Sequence, residues 1–173
     1  GLMWFGTWDG LNRYDGSNII VFKPDFLDNK SISNNIIRNL LEDKHNNLWV
    51  VTSKDINRFL SNTMSFKSYF SGNEYLPVRE QNLKACIGPD SILYVSLIRF
   101  GLSYYDEAKD VFLGKILPGM SDLEQKNIIG LAGGNMNKLY LLGHEGKVFA
   151  YTKKSVFEKL YENDLGIYED LGF

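Results

Sequence analysis

Aromatic residues return along this chain at a fixed interval. Trp4, Trp49, Tyr94 and Tyr140 each sit between apolar neighbours, at spacings of 45, 45 and 46 residues. Phe22, Phe66, Phe112 and Phe157 keep the same phase, at spacings of 44, 46 and 45. Six or seven residues after each member of the first series a second run begins: Gly10-Leu11-Asn12-Arg13-Tyr14, Asp55-Ile56-Asn57-Arg58-Phe59, Gly101-Leu102-Ser103-Tyr104-Tyr105 and Gly146-Lys147-Val148-Phe149-Ala150-Tyr151. An apolar stretch precedes each of the last three aromatics, at Ile36 to Leu41, Leu83 to Ile87 and Ile128 to Ala132. Landmarks held in phase in this way define a tandem repeat, and its period restricts the fold more than composition can.

Within each period, strand-type residues cluster in short runs separated by Asn, Asp, Gly and Lys. Asp43 to Asn47 reads as a hairpin turn, and Asn135 to Asn137 holds the matching place before Tyr140. Four short strands in roughly 40 to 50 residues is the blade period of a β-propeller. Helical repeats of similar length need amphipathic segments with a 3.6-residue period, which the sequence lacks. A β-helix is the structural runner-up, but its rungs are usually shorter. The expected fold is therefore all-β: a β-propeller fragment of about four four-stranded blades over residues 1–173, with repeats near 1–46, 47–91, 92–137 and 138–173. The chain opens on a second strand, Leu2 to Thr7, so the first blade is expected to lack its inner strand.

Composition narrows the function classes. Net charge is −2 and no basic stripe is present, which speaks against a nucleic-acid partner. No stretch reaches the roughly 18 apolar residues of a membrane helix. Gly1 opens the chain without an initiator Met or a signal-peptide pattern, as an excised or mature segment would. The single Cys86 has no internal disulfide partner, and its place on an inner strand suits a small buried hydrophobe.

Residues 2 to 16, Leu-Met-Trp-Phe-Gly-Thr-Trp-Asp-Gly-Leu-Asn-Arg-Tyr-Asp-Gly, resemble the two-component-regulator propeller repeat. Residues 36 to 59 repeat its whole order: an apolar strand, Asp43, a polar turn, Leu48-Trp49-Val50-Val51-Thr52, then Ile56-Asn57-Arg58-Phe59. The third copy departs from it, with Tyr94 for Trp and Ser103-Tyr104 for Asn-Arg, and the fourth keeps only Leu139-Tyr140, Gly146 and the aromatic ends. The resemblance implies a setting. Such repeats form the periplasmic sensor half of hybrid two-component histidine kinases in gut bacteria, where two seven-bladed propellers and an Ig-like domain precede a membrane helix. Their usual inputs are oligosaccharides. On that reading this chain meets a membrane only through parts it does not itself contain, and any kinase activity belongs to other domains.

The resemblance also places the apolar strand innermost and the Trp strand second. Turns between second and third strands then share an end of the blades with the connections between blades, the usual ligand side of propellers. The candidate ligand contacts are the turn residues there: Trp8, Asp9, Lys54, Arg99, Phe100 and His144. Trp8 offers an aromatic platform for a sugar ring, though packing against a neighbouring blade is the blander reading. Arg99 and Phe100 sit in the turn with one extra residue, and insertions re-aim side chains; a solvated loop would look the same. Asp9, Lys54 and His144 are turn charges, which are more often solvated. The phased aromatics Trp4, Trp49, Tyr94 and Tyr140 read as inter-sheet core, because a residue placed identically in every repeat is usually structural. Arg13 and Arg58 recur in phase and read likewise.

No catalytic constellation emerges. His45 and His144 lie far apart in turns, and no nucleophile–base pairing, phosphate loop or metal-ligand spacing appears. The reading is of a non-catalytic module with no cofactor and no metal, binding an oligosaccharide-like ligand. The alternatives are a propeller scaffold for protein–protein interaction and, further off, a propeller lyase or glycosidase. Because terminal blades of such a fragment leave apolar faces and a sheet edge uncovered, self-association is also expected, most simply as a homodimer.

Overall fold

The structure is a computed structural model, and it describes residues 1–70, 83–97, 101–134, 138–143, 146–153 and 157–164. Its strands form four antiparallel meanders. The first sheet holds β1 (Met3–Thr7), β2 (Gly10–Tyr14) and β3 (Ile19–Phe22). The second holds β4 (Ile37–Glu42), β5 (Leu48–Thr52), β6 (Ile56–Leu60) and β7 (Ser65–Ser68). The third holds β8 (Lys84–Ile87), β9 (Leu93–Leu97), β10 (Gly101–Asp106) and β11 (Val111–Gly114). After the short helix α1 (Asp122–Lys126) come β12 (Ile128–Gly134), β13 (Lys138–Gly143), β14 (Lys147–Lys153) and β15 (Phe157–Asp164) in the fourth. In each sheet, strands adjacent in sequence are adjacent in space, so each repeat folds on itself. The expected strand order holds, and the first sheet has three strands and no inner one among the described residues. The architecture is that of a propeller fragment.

The chain divides into two compact units, 1–83 and 84–173. In the first, Leu11, Ile32, Ile37, Val50, Phe59 and Phe66 form a buried cluster joined by half-buried Trp4 and Phe22. The rings pack edge-on, with Trp4 to Phe59 at 4.8 Å and Phe22 to Phe66 at 5.4 Å between centroids, spacings at which aromatic pairs attract. In the second, Cys86, Tyr94 and Leu102 pack with Ile128, Leu139, Leu141, Phe149 and Tyr151. Burial pushes the Cys86 thiol up to about 12, so it stays protonated and unreactive. The two inner strands of this unit approach so closely that a Cβ on Gly133 would stand 1.8 Å from the Ile87 carbonyl oxygen.

Trp49 and Tyr94 are buried as expected. Their polar atoms are held by the hairpin turns before them: the Trp49 indole N–H donates to Asp43 at 2.8 Å, and the Tyr94 hydroxyl to Asp90 at 2.9 Å. The exchange of Trp for Tyr in the third copy thus keeps a ring donor on a turn aspartate. Tyr140 departs from the core expectation, being 37% exposed. Leu139 and Leu141 point into the core beside Phe149. Strand alternation then puts Tyr140 on the opposite face, which no described sheet of its unit covers. The helix α1 was not foreseen either. Ser121 and Glu124 close a capping box on its first turn. The Ser121 N–H and hydroxyl, aided by Lys147 at 3.1 Å, hold the Glu124 carboxyl down at about 2.

Candidate functional site

At one end of the first unit the β1–β2 turn, the β5–β6 turn and residues 23–36 meet. A threonine locks each turn. The Thr7 hydroxyl donates to the Gly10 carbonyl at 2.8 Å and accepts the Asp9 N–H at 3.1 Å. Thr52 does the same with the Asp55 carbonyl at 2.9 Å and the Lys54 N–H at 3.2 Å. Gly10 opens β2 at φ 122°, where a Cβ would also come within 2.6 Å of the Phe22 carbonyl oxygen, so the glycine of this repeat position is required. The second copy has Asp55 instead; its buried carboxylate accepts the N–H groups of Ile56 at 2.6 Å and Phe70 at 2.9 Å.

The connection is bonded to both turns. Gly10 N–H donates to the Asn35 carbonyl at 2.7 Å, and Ser53 N–H to that of Ile36 at 2.9 Å. The Ser53 hydroxyl donates to Asn34 at 2.8 Å. Buried Asn57, from the Ile-Asn-Arg-Phe run, accepts the Ser33 N–H at 3.0 Å and donates to its hydroxyl at 2.8 Å. The expected sharing of one end by turns and connection therefore holds in this unit, and the end is pinned by many bonds.

On this base stand three of the six candidate residues. Trp8 is 75% exposed at the tip of its turn. The Arg38 guanidinium lies over its ring, 5.5 Å from the centroid. Asp9 is paired with Lys23 at 2.6 Å. Lys54 is exposed and borders a groove of about 630 Å³, which Pro24, Phe26, Lys30, Phe66 and Lys67 also line. Phe26 and the adjacent Leu27 are fully exposed. Arg99, Phe100 and His144 lie outside the described residues. Arg38 was not among the candidates. It sits where the β4–β5 register shifts between Ile37 and Asn39, a bulge that turns its side chain out of the strand alternation. The one available hint was a lone cation in the first half of an inner strand that is otherwise without basic residues.

Arg58, read as structural, lies over the Trp49 ring at 5.8 Å. Arg13 donates to the Met64 sulfur at 3.2 Å. Neither lies on the Trp8 turn.

Residues 31–54 match the family described as two component regulator propeller. No curated protein matches the chain. Among solved structures it is similar to the extracellular domain of a putative one component system from B. thetaiotaomicron, at 20% identity and a TM-score of 0.67, over 96% of this chain and 24% of that one. It is also similar to the extracellular domain of a putative hybrid two component system from the same organism, at 19% identity and a TM-score of 0.64, over 92% of this chain and 22% of that one. The chain spans about a quarter of the length of these structures, and the likeness is one of fold. The sequence match over β4, its hairpin turn and β5 agrees with the sheets around it: the chain carries a two-component regulator propeller repeat within a β-propeller fragment.

Proposed function

We propose that this chain is part of the periplasmic sensor module of a hybrid two-component system, without catalysis of its own, and that it binds an oligosaccharide-like ligand at the end of the first unit where Trp8 and Lys54 stand. The observation that carries the reading is Trp8. A large indole exposed on a turn fixed by Thr7, Gly10 and Asn35 presents a preformed aromatic face, and rigid aromatic platforms bind at low entropic cost. The setting rests on the repeat and on the likeness to extracellular domains of signalling proteins.

A thermal-shift screen against oligosaccharides released from plant and host glycans tests it. A ligand at a hundredfold excess over its dissociation constant stabilises the folded state by about 2.7 kcal/mol, and Trp8→Ala should remove the shift without lowering the unliganded melting temperature. A screen with no shift, or a shift untouched by Trp8→Ala, counts against the reading. A protein partner is the second reading, favoured by the fully exposed Phe26 and Leu27.

A further inference from the structure

We propose that the Trp8–Arg38 pair is an anion-selective subsite, taking an oligosaccharide unit that bears a carboxylate or a sulfate. The inference rests on the oligosaccharide reading above and adds the ligand's charge. Three observations carry it. First, Arg38 covers the Trp8 ring, yet Trp8 stays largely exposed, which leaves aromatic surface for a sugar. Second, Arg38 forms no ion pair among the described residues, and its contact is with the indole. The planar fork of a guanidinium matches carboxylate and sulfate oxygens in pairs. Third, a second cation and a neutral ion pair stand near it. Asp9 is taken by Lys23. Lys54 stands beside Ser53, whose N–H bonds to the Ile36 carbonyl two residues from Arg38. Asp25, Asp28 and Lys30 lie further along the connection, beside the groove. Arg38 and Lys54 thus stand at this rim without an ion pair among the described residues, beside the mutually neutralised Asp9 and Lys23.

The bulge at Arg38 is what places this cation. In a regular strand, side chains alternate between the two sheet faces, and the shift between Ile37 and Asn39 breaks that alternation here. The subsite therefore combines a fixed aromatic face with a cation next to it.

Calorimetric titration with matched probes tests the inference: a galacturonate trimer against its methyl ester, and a 6-O-sulfated galactose oligomer against the unsulfated one. The acidic member of at least one pair should bind tenfold or more tightly, and added salt should weaken it. Arg38→Gln should lower that affinity to the level the same variant shows for the neutral member, with the melting temperature unchanged; Arg38→Lys should recover only part of it. The two pairs tell carboxylate from sulfate. Neutral and acidic members binding equally, or Arg38→Gln leaving the discrimination intact, would overturn the inference while the oligosaccharide reading stands. Absence of binding by every oligosaccharide in the screen would overturn both.

Discussion

Leu48, Val50, Phe59 and Phe66 of the second sheet and Met3, Phe5, Tyr14 and Ile19 of the first hold the same places in their sheets; the counterpart of Phe66 is Ile19 and not Phe22, whose sequence spacing had put it in phase. Tyr14 pairs with Ile19 across β2 and β3 as Phe59 pairs with Phe66 across β6 and β7. In the second sheet this set packs against Trp4, Leu11 and Phe22 of the first. In the first sheet Met3, Phe5 and Ile19 are 54, 45 and 64% exposed. Residue type hardly differs between the sets; the neighbour does. Each repeat therefore encodes two apolar faces, one that receives a sheet and one that is received. Tyr140 shows the other side of the rule, since it holds the place of Trp4 and Trp49 but is exposed. A position in phase predicts burial only where another sheet lies against it.

The strongest test compares members of one phased position. Trp49→Ala should destabilise by about 3–5 kcal/mol, the cost of truncating a buried Trp, while Tyr140→Ala should cost about 1 kcal/mol or less, as a half-open site allows. Denaturant unfolding measures both, and equal losses would break the comparison. The two faces of the first sheet give a parallel test. Leu11→Ala, on the covered face, should cost about 2–5 kcal/mol, whereas Met3→Ala, on the open face, should stay within about 0.5 kcal/mol.

A smaller effect is expected at the turn that anchors Trp49. Partial burial works to raise the Asp43 carboxyl, but donation by the Trp49 indole, by the Asn47 amide and by the N–H groups of Asn47 and His45 outweighs it and holds the group below its ordinary 3.8. A carboxyl depressed on folding adds stability that is present above the unfolded value and is lost as pH falls through the folded one. Asp43→Asn should therefore cost about 1–3 kcal/mol at neutral pH, by weakening charge-assisted bonds. It should also unfold with a flatter pH dependence below about pH 4 than the parent. Glu124, also depressed, is present in both proteins, so the difference between their curves isolates Asp43. Identical slopes would show that the turn carboxylate contributes nothing to the anchoring of Trp49.

The period of the repeat, the strand order and the missing inner strand were all legible in the sequence, because a sheet whose strands pair in chain order needs only local information. Trp8 was legible as an aromatic in a turn. Its partner was not, because Arg38 belongs to the next sheet, far from Trp8 in sequence, and is turned toward it by a bulge in the β4–β5 pair. The groove beside Lys54 was hidden for a similar reason. It exists because residues 24–33 fold back on β7, with the Phe66 N–H donating to the Lys30 carbonyl at 2.7 Å, a contact between positions that nothing local links. The asparagine and threonine of the repeat were visible as a pattern, but their work in pinning turns to the connection became clear only from Asn57, Thr7 and Thr52. Tyr140 marks a different limit. Its sequence setting is that of a core residue, and only the arrangement of sheets decides otherwise.

The smallest effect on stability should accompany a large effect on association. The open face of the first sheet, with Met3, Phe5 and Ile19, repeats the places that in the second sheet receive Trp4, Leu11 and Phe22. Its natural complement is a sheet face that offers an aromatic at the Trp4 position, and the fourth sheet exposes Tyr140 there. A second copy of this chain is the expected occupant, and the chain should self-associate, first as a dimer, through the first sheet of one copy and the fourth sheet of another. Contiguous apolar faces of this kind mark association surfaces, and heterologous contacts between them either close or extend. Light scattering across a dilution series should give a mass above 19.8 kDa that falls on dilution. Phe5→Lys places a charge at the centre of the receiving face and should return the chain to monomer at every concentration, as should Tyr140→Lys on the complementary face. Both changes should leave the monomer's unfolding free energy within about 0.5 kcal/mol of the parent, because the replaced side chains are exposed. A parent chain that stays monomeric throughout would show that the open face is satisfied without a second copy. Persistence of the dimer in the Tyr140→Lys variant alone would point instead to two first sheets meeting face to face.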